Sequence, residues 1–583
     1  MKRNFLFKLT AIILSMILLS SISACGSKNN GDNKVEMNGT HNLSAPMVDT
    51  EDYIVNNGKS DYKLLVSKEN YSTAIVTCIE EFNSLFKKAT GIILPVEYDT
   101  NVQYKEDSHY ISLGETTLFN EAKIDWNREE LKTDGCQIVT KGKNIYLFGA
   151  SDYGVLNAVY DFFQICFNYE FYYRNCIEID TNVSTLKLRN FNVKDIPDIA
   201  VRANINGFNA GKQFDTPRDT DLLAFGEDAY TDTKNRIARY RFNETKYAKF
   251  LPIYSEFNNT NSAANTIHNA FNYVTKEEAK PGWHSTSGEQ LCYSASSHTD
   301  HFDEENFKAL AEHCAKKIEN SLKIFPRDAY PQFNLVSITQ NDRLGFCKCA
   351  TCEKWKQEDN GALSGGMIRL NNAVIKIVEE WMNQPENEPY KRDLRLVMFA
   401  YNNSEACPVK YNERTKQYEP ANEEVVMAKN TGVYFAPQSA FEYVCSIYDK
   451  RNDKGRELCK QWLSLSDYTM LWLYGAFHTR PMYFMDSYNF FNKDAYQFFA
   501  SCGFDYIYDE NIDYSSDLTG FNALKTYIES KLMWDSTLDQ DVLMKKFFNA
   551  MYKDAADTMY GLLLSYRNQF AYLAEHKGFF YGL

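Results

Sequence analysis

From about Ile196 onward the sequence repeats one pattern, in which a short apolar segment is followed by a polar loop and then by an amphipathic helix. Six of these segments are predicted to be strands: Ala200–Ile205, Phe333–Ile338, Leu394–Ala400, Gly432–Phe435, Thr469–Leu473 and Phe504–Tyr508. Short apolar strands separated by helices are typical of a parallel sheet that is buried on both faces. Two further strands are expected between Arg236 and Leu291, and a span of roughly 330 residues then predicts a (β/α)8 barrel with long loops. An open doubly wound sheet is the alternative, although no glycine-rich phosphate-binding turn supports it.

The barrel, predicted at residues 191–535, is flanked by two further units. Residues 61–190 are predicted to form an α+β accessory domain, with an apolar helix that ends at Gly91 and a hairpin across Gly142. This unit carries no clustered acid, base or nucleophile. Residues 536–583 show apolar and aromatic positions at helical spacing, which predicts a C-terminal helical cap.

The amino-terminal residues predict the compartment. Lys2 and Arg3 precede an apolar core that is too short to span a bilayer as a mature helix. The run Ile22–Gly26 resembles a bacterial lipobox, so residues 1–24 are predicted to be a signal peptide and Cys25 the lipid-bearing first residue. Residues 25–60 are predicted to be a flexible tether. We therefore expect an extracytoplasmic protein held at the membrane by its lipid; an ordinary secretory signal with a chance cysteine is the alternative.

Composition excludes one class of partner. The chain has 583 residues, a formal net charge of −14 and no basic stripe, which argues against nucleic acid binding. Tyrosine and phenylalanine number 40 and 39. Such rings commonly stack on sugars, although most of them are expected to fill the core. There are 14 cysteines, and once Cys25 is assigned to the anchor an odd number remains, which fits poorly with an all-disulfide framework.

One segment combines candidate chemistry with a means of holding it in place. The predicted strand Phe333–Ile338 leads into the polar pair Asn341 and Asp342. A carboxylate just past the carboxyl end of a strand is where a (β/α)8 barrel keeps its catalytic groups. Three cysteines with the spacing C-x-C-x2-C follow at once: Cys347, Cys349 and Cys352.

The cysteine cluster has two interpretations. With Cys292 as a fourth ligand, it would form a closed site for a structural zinc ion, which is not a catalytic site. A disulfide with a free thiol left over is the alternative, and an extracytoplasmic location favours it. A nucleophilic cysteine is not expected, because no histidine partner is recognisable. No cofactor is expected for catalysis.

Several segments resemble known families. The stretch from Asp134 to Gly154 looks like the non-catalytic N-terminal domain of family 20 hexosaminidases and family 67 alpha-glucuronidases, and Pro197–Arg202 resembles the start of their barrels. Four other segments resemble proteins of domain of unknown function 4838: Gln290–Cys292, Ser337–Cys352, Phe399–Tyr401 and Tyr527–Trp534. The resemblance implies a glycosidase-like barrel in a secreted bacterial protein. Family 20 enzymes carry an Asp-Glu pair where this chain has Asn341 and Asp342, which argues against substrate-assisted acetamido chemistry.

Glycoside hydrolysis needs a proton donor and a second group that delivers water, attacks the sugar or orients a substrate group. Carboxylates follow three predicted strands: Asp342, Glu405 and the pair Asp509–Glu510. Asp342 is predicted to be the acid, with a loop-capping aspartate as the alternative. Glu510, with Asp509 beside it, is predicted to be the base or nucleophile, with a solvated loop pair as the alternative. Glu405 is the weaker candidate.

Polar and aromatic residues near the same strand ends are candidates for substrate binding: Arg202, His284, Asn341, Tyr401, Asn402, Trp472 and His478. Arg202 could bind a substrate carboxylate through two hydrogen bonds, or equally form a structural ion pair inside the barrel. His268 lies in the same long loop region as His284. A lone histidine is more often structural than functional. A structural role is therefore the alternative for His268, His284 and His478.

Two function classes follow from the sequence. The first is a surface-anchored glycoside hydrolase that acts on a poly- or oligosaccharide by carboxylate acid/base chemistry. The second is a non-catalytic, carbohydrate-binding lipoprotein on a glycosidase-like barrel, because a fold by itself does not decide function. Two carboxyl groups about 5–10 Å apart across one cleft would favour the enzyme.

Overall fold

The structure is a computed structural model that describes residues 39–173, 176–204, 238–243, 249–251, 253, 267–438, 440–441, 445–474, 493–509 and 521–577. These residues all belong to one compact unit. Three predicted functional residues lie outside the described ranges: Cys25, His478 and Glu510. In the part of the chain that the structure describes, no helix has the length and apolar character that crossing a membrane would require.

An amino-terminal sheet of seven strands has the order β1-β11-β6-β7-β5-β3-β4. Its strands are β1 Thr40–His41, β3 Lys63–Val66, β4 Val96–Tyr98, β5 Tyr110–Leu113, β6 Cys136–Lys141, β7 Asn144–Gly149 and β11 Asn192–Ile196. The pairs from β7 through β5 and β3 to β4 are parallel, and the others are antiparallel. The predicted hairpin is confirmed, because β6 and β7 pair across Gly142, whose φ of 61° suits a tight turn.

Two helices pack together beside this sheet. Helix α1, Thr73–Thr90, begins at Ser72, whose hydroxyl accepts a hydrogen bond from the amide of Ile75, and it ends at Gly91 with a φ of 80°. The short α2 spans Thr117–Ala122. Helix α3, Asp152–Phe167, is capped by Ser151 and buries most of its side chains. The end of α1 at Gly91 agrees with the sequence prediction.

A second sheet of seven strands is parallel throughout, with the order β12-β20-β19-β18-β15-β14-β13. Its strands are β12 Val201–Asn204, β13 Lys249–Phe250, β14 Phe333–Ser337, β15 Arg395–Tyr401, β18 Thr431–Ala436, β19 Thr469–Leu473 and β20 Tyr506–Asp509. All six strands predicted from the sequence are present, and β13 is one of the two that could not be positioned. The first strand of this sheet pairs with the last, as β12 does with β20.

Helices follow most strands of the parallel sheet. They are α4 Ala270–Tyr273, α5 Glu304–Ile324, α6 Ala350–Glu358, α7 Ser364–Met382, α8 Asp453–Leu465, α9 Lys493–Cys502 and α10 Asn522–Trp534. Two further helices complete the predicted helical C-terminus: α11 Gln540–Tyr552 and α12 Ala556–Lys577. The remaining strands form two-stranded pairs: β2 Asp49–Val55 with β10 Leu186–Arg189, β8 Glu170–Tyr173 with β9 Cys176–Glu178, and β16 Val409–Asn412 with β17 Gln417–Pro420. Because β1 and β2 pair with β11 and β10, the prediction of a flexible tether is wrong for Thr40–His41 and Asp49–Val55.

Most strands of the parallel sheet bury both of their faces, because side chains alternate along a strand. On one face, residues such as Phe435, Leu471 and Ile507 join the large core beneath the helices. The other face carries a separate and mainly aromatic cluster: Ala203, Phe250, Leu335, Val397, Phe399, Tyr434, Ala436, Met470, Trp472, Tyr506 and Tyr508. We call this second set the inner cluster. The structure therefore has a mixed α/β fold whose parallel sheet has one helix-facing and one inner face.

Candidate functional site

Two side chains hold the backbone that follows β14. The amide of Asn269 donates to the carbonyl of Ser337 at 2.8 Å, and its oxygen accepts from the backbone N–H of Thr339 at 2.8 Å. Gln290 accepts from the N–H of Asn341 at 2.9 Å and donates to the carbonyls of Asn341 and Arg343 at 2.8 and 2.6 Å. Both side chains are fully buried. The loop that carries Asp342 is thereby attached to the chain on both sides of that residue.

Gln340 connects this loop to the end of the next strand. Its side-chain amide donates to the carbonyl of Tyr401 at 3.1 Å, and its oxygen accepts from the hydroxyl of Ser404. The backbone carbonyl of Gln340 lies 3.0 Å from Nδ1 of His268. Sequence reasoning missed the roles of Asn269 and Gln340, since their partners are distant in the chain.

Asp342 lies at the surface beside Tyr401, and the Tyr401 hydroxyl donates a long hydrogen bond of 3.4 Å to its Oδ1. The ring of His268 stacks against Phe399 at 5.5 Å between centroids and meets the edge of Tyr401 at 5.6 Å. Asp342, His268 and Tyr401 thus form one contact network. A carboxylate that is exposed and hydrogen-bonded by a phenol can exchange a proton with a bound ligand.

Aromatic side chains of the inner cluster lie beneath this network. Phe399 is 5.5 Å from Trp472, and Trp472 stacks on the half-buried ring of Tyr474 at 6.0 Å. Trp472 itself is only 4% exposed and packs against Tyr434 and Tyr508. The predicted contact between Trp472 and a sugar is therefore wrong for this structure, because the ring fills the interior, and Tyr474 is the more accessible neighbour.

Two non-glycine residues near this network have left-handed backbone conformations. His268 has a φ of 53° and Asn402, which opens the short 3-10 turn Asn402–Ser404, has a φ of 54°. Such conformations cost energy and persist where the surroundings determine them, often at functional sites. Asn402 is half-buried directly after β15, next to Tyr401. We define the strand-end cluster as His268, Asp342, Tyr401, Asn402 and Tyr474.

Asp509 does not belong to the strand-end cluster. It ends β20 on the helix-facing side, one residue after Tyr508 of the inner cluster, and it is fully buried. A hydrogen bond with Asp509 contributes to the raised pKa of Tyr496 on α9, of which burial is the main cause. The prediction that Asp509 takes part in catalysis is therefore wrong, because strand alternation turns its side chain away from the inner face.

Arg202 forms the structural ion pair rather than a substrate contact. Its Nη2 lies 2.6 Å from Oδ2 of Asp134, its Nη1 lies 3.3 Å from Oδ1, and its guanidinium lies 4.7 Å from the ring centre of Trp534. The remaining N–H groups donate to backbone carbonyls of Arg241, Ile199 and Ala200. The side chain is 0% exposed. No N–H is left for a substrate carboxylate, so the predicted substrate role is wrong.

Three other candidates are engaged in structural contacts. His284 pairs in a β-bridge with Leu291, and its Nε2 lies 3.3 Å from the carbonyl of Val274. Asn341 is 8% exposed, and its amide donates to the carbonyl of Glu289 at 3.0 Å. The carboxylate of Glu405 is buried and pairs with Lys454 at 3.2 Å. These contacts hold loops in place, and none of the three residues belongs to the strand-end cluster.

The four predicted cysteine ligands converge. One sulfur from each of Cys292, Cys347, Cys349 and Cys352 lies within 4.8 Å of all the others. Cys292 Sγ is 3.9 Å from Cys349 Sγ and 3.8 Å from Cys352 Sγ. All 13 described cysteines are free thiols, including these four. Hydrogen bonds from Cys292 and Cys352 lower the pKa of Cys347 to about 4.

A family model with the description "Domain of unknown function (DUF4838)" matches residues 172–562, which is more than half of the chain. The chain belongs to the DUF4838 family. The matched region contains both the strand-end cluster and the four cysteines. No protein of curated function gives a significant sequence match to this DUF4838 chain.

Solved structures that are similar to this DUF4838 chain are glycoside hydrolases. A GH115 4-O-methyl-alpha-glucuronidase, BtGH115A, has 11% identity and a TM-score of 0.46, covering 90% of this chain and 63% of its own. CpGH84D has 10% identity and a TM-score of 0.43, with 91% and 74% covered. The GH20 beta-N-acetylhexosaminidase from Streptomyces coelicolor A3(2) has 12% identity and a TM-score of 0.36, with 88% and 95% covered. Identities this low transfer neither a substrate nor a reaction to the DUF4838 chain.

Proposed function

We propose that the protein is a glycoside hydrolase that acts on a poly- or oligosaccharide at the carboxyl end of its parallel sheet. The strand-end cluster is the observation that carries this proposal. It combines an exposed carboxylate, a phenol that donates to that carboxylate, a histidine and an amide, all beside a half-buried aromatic ring. Aromatic rings with a few convergent polar groups are typical of small-molecule sites.

We further propose that the parallel sheet closes into a complete (β/α)8 barrel. Strand order follows the chain, and the first strand already pairs with the last. The two edges of the described sheet are β12 and β13, which are consecutive among the strands that the structure describes, and an eighth strand between them would complete the barrel. An experimental structure in which β12 and β13 remain the edges of an open sheet would contradict this proposal.

Asp342 has the position and exposure of the proton donor to the leaving oxygen. The Tyr401 hydroxyl beside it stabilises the carboxylate after the proton has left, because a hydrogen bond to the charged form favours that form. The Asn402 side chain would contact sugar hydroxyls, and the half-buried ring of Tyr474 would lie against a sugar face. Glu510 remains the predicted base or nucleophile on sequence position.

Hydrolysis by the full-length protein tests the proposal. The protein is incubated with aryl glycosides and with plant, host and bacterial glycans, and released phenol or new reducing ends are measured. We expect the wild-type protein to turn over at least one glycan. Each of the single variants, Asp342→Asn and Glu510→Gln, should lose this activity. If neither substitution changes a rate that the wild-type protein shows, the assignment of the site is wrong.

A non-catalytic carbohydrate-binding protein is the second candidate, and one observation favours it. Among the described residues, the strand-end cluster contains a single carboxylate, since Asp509 faces the helices. Calorimetric binding of an oligosaccharide that is never cleaved, with affinity lost in Tyr474→Ala and retained in Asp342→Asn, would establish this function in place of the enzyme.

We also propose that the protein is anchored outside the cytoplasm by a lipid on Cys25. The support is the lipobox-like run behind a short apolar segment. Cys25→Ala is expected to leave the precursor unprocessed or to release the protein from membranes, which fractionation and mass spectrometry of the amino terminus would detect. Unchanged processing together with unchanged membrane association would contradict the anchor.

A further inference from the structure

The four converging cysteines lie outside the proposed sugar site and have no role in its chemistry. Cys292 comes from the segment between β13 and α5, and the other three come from the segment after β14. Their exposures are 0% for Cys292, 4% for Cys347 and 7% for Cys349, and Cys352 is half-buried. The remaining described cysteines belong to no comparable group among the residues that the structure covers.

Sulfur separations decide between the two interpretations of this group. A disulfide requires about 2.05 Å between two sulfurs. Four thiolates at about 2.3 Å from a tetrahedral zinc ion lie about 3.8 Å from one another. The separations of 3.9 and 3.8 Å from Cys292 to Cys349 and Cys352 match the second arrangement. We infer that Cys292, Cys347, Cys349 and Cys352 bind one zinc ion in a closed structural site.

The surroundings of the sulfurs suit thiolates. Cys349 is the N-cap of α6 and Cys352 lies in its first turn, where the partial positive charge of a helix N-terminus stabilises an anion. The Ser294 hydroxyl lies 3.3 Å from the sulfur of Cys292 and 3.4 Å from that of Cys352. It can therefore donate to a ligand sulfur, as outer-shell groups of metal sites commonly do.

The site ties together the two segments that also meet through Gln290. Gln290 precedes Cys292 by two residues and binds the backbone of Asn341 and Arg343 on either side of Asp342. The zinc ion would attach the same two segments a second time, a few residues further along each. Four protein ligands leave no open position for water, so the ion stabilises the loop and takes no part in a reaction. This inference does not depend on the proposed function.

Metal analysis of the full-length protein, purified without chelators, tests the inference. The expected content is about one zinc ion per chain, falling at least about tenfold in Cys292→Ala. Cys502→Ala is the matched control, because Cys502 is a partly buried thiol outside the group, and it should retain the metal. Metal-free protein with four reduced thiols, a disulfide within the group, or equal zinc in both variants would each overturn the inference.

A second measurement keeps the test decisive if Cys292→Ala fails to fold. Wild-type protein is titrated with an organomercurial in the presence of a chromophoric zinc chelator. Zinc should appear in step with modification of the four thiols, and hydrogen exchange of residues 340–352 should then accelerate. Thiol modification that releases no zinc overturns the site, and zinc release without faster exchange overturns its role in holding the loop.

Discussion

Two groups of ionisable side chains near the parallel sheet differ in burial. The group around Arg202, near the amino-terminal end of the sheet and called the closed end below, is buried and paired, whereas Asp342 and Tyr401 at the carboxyl end, called the open end below, are exposed and half-buried. Arg202 and Asp134 pair with exposures of 0% and 2%, and Arg241 pairs with Asp161 and, at 3.1 Å, with Asp195. At the other end Asp342 is exposed and its phenolic partner Tyr401 is half-buried. Buried charges without a partner are costly, so the first set must be complete in the folded protein, while the second set can bind a ligand.

The comparison also shows why residue type alone is a poor guide to function. Arg202 is a candidate for a substrate contact or equally for a structural ion pair, and Asp342 is the predicted acid; both lie on or just beyond a strand of the same sheet. Arg202 is satisfied by Asp134, in the turn before β6, and by the ring of Trp534 at the end of α10. Asp342 follows the carboxyl end of β14, where no core packs against it. Both residues are charged, so charge does not distinguish the structural role of Arg202 from the proposed catalytic role of Asp342. Their positions relative to the strand ends and sheet faces do.

The largest effect is expected at the open end, from Asp342→Asn. If Asp342 donates the proton, turnover of glycosides with poor leaving groups should fall by about 10²–10⁴-fold. Activated aryl glycosides need less acid assistance and should lose less, and the unfolding midpoint should hardly change because asparagine keeps the shape. An unchanged rate on a natural glycan removes Asp342 from the mechanism.

At the closed end, Arg202→Ala should lower the free energy of unfolding by about 3–5 kcal/mol, because Asp134 would remain buried without its cation. Urea unfolding followed by circular dichroism measures this loss. Arg327→Ala is the matched control, since Arg327 forms its ion pairs with Asp328 and Glu388 on the surface and should leave the midpoint nearly unchanged. A stable Arg202→Ala protein with a raised KM would instead restore the substrate role.

The closed end should also give a pH dependence through His41. Burial lowers the pKa of His41, but hydrogen bonds to Asp195 and Asp198 and the nearby Asp535 outweigh it and raise the pKa from 6.5 to about 10. A raised pKa in the folded state gives stability that is complete below pH 6.5 and is lost as the pH rises through about 10.

His41→Gln tests this dependence. At pH 6 the variant should be less stable than the wild type by about 2 kcal/mol, and the difference should shrink toward pH 10. Urea unfolding at a series of pH values measures it. A difference that stays constant from pH 6 to pH 10 would show that protonated His41 is not the stabilising form.

The smallest effect is expected from Tyr401→Phe at the open end. The hydrogen bond to Asp342 is long, so its loss should reduce kcat/KM by only about 2–10-fold. A loss as large as that of Asp342→Asn would make Tyr401 itself the proton donor.

Sequence by itself determined six of the seven described strands of the parallel sheet and the grouping of three cysteines. Alternating loops, apolar segments and helices are local patterns, so Phe333–Ile338 was predicted within one residue of the observed Phe333–Ser337. The C-x-C-x2-C spacing brings three sulfurs together whatever the rest of the chain does. Cys292 also lies with these three cysteines. It is predicted as the fourth ligand because a zinc site needs four ligands, and its position in the sequence does not require it to be there.

Tertiary structure alone decided which polar residues meet. Asp509 ends its strand as predicted, but the two-residue period of a strand turns it toward Tyr496, and a shift of one residue would have reversed that outcome. Arg202 finds its partner 68 residues away, in the turn before β6. Tyr401 and Asp342 meet across 59 residues because β14 and β15 are parallel neighbours whose carboxyl ends lie together. Such partners are set by register and by packing between elements, which no local pattern in the sequence encodes.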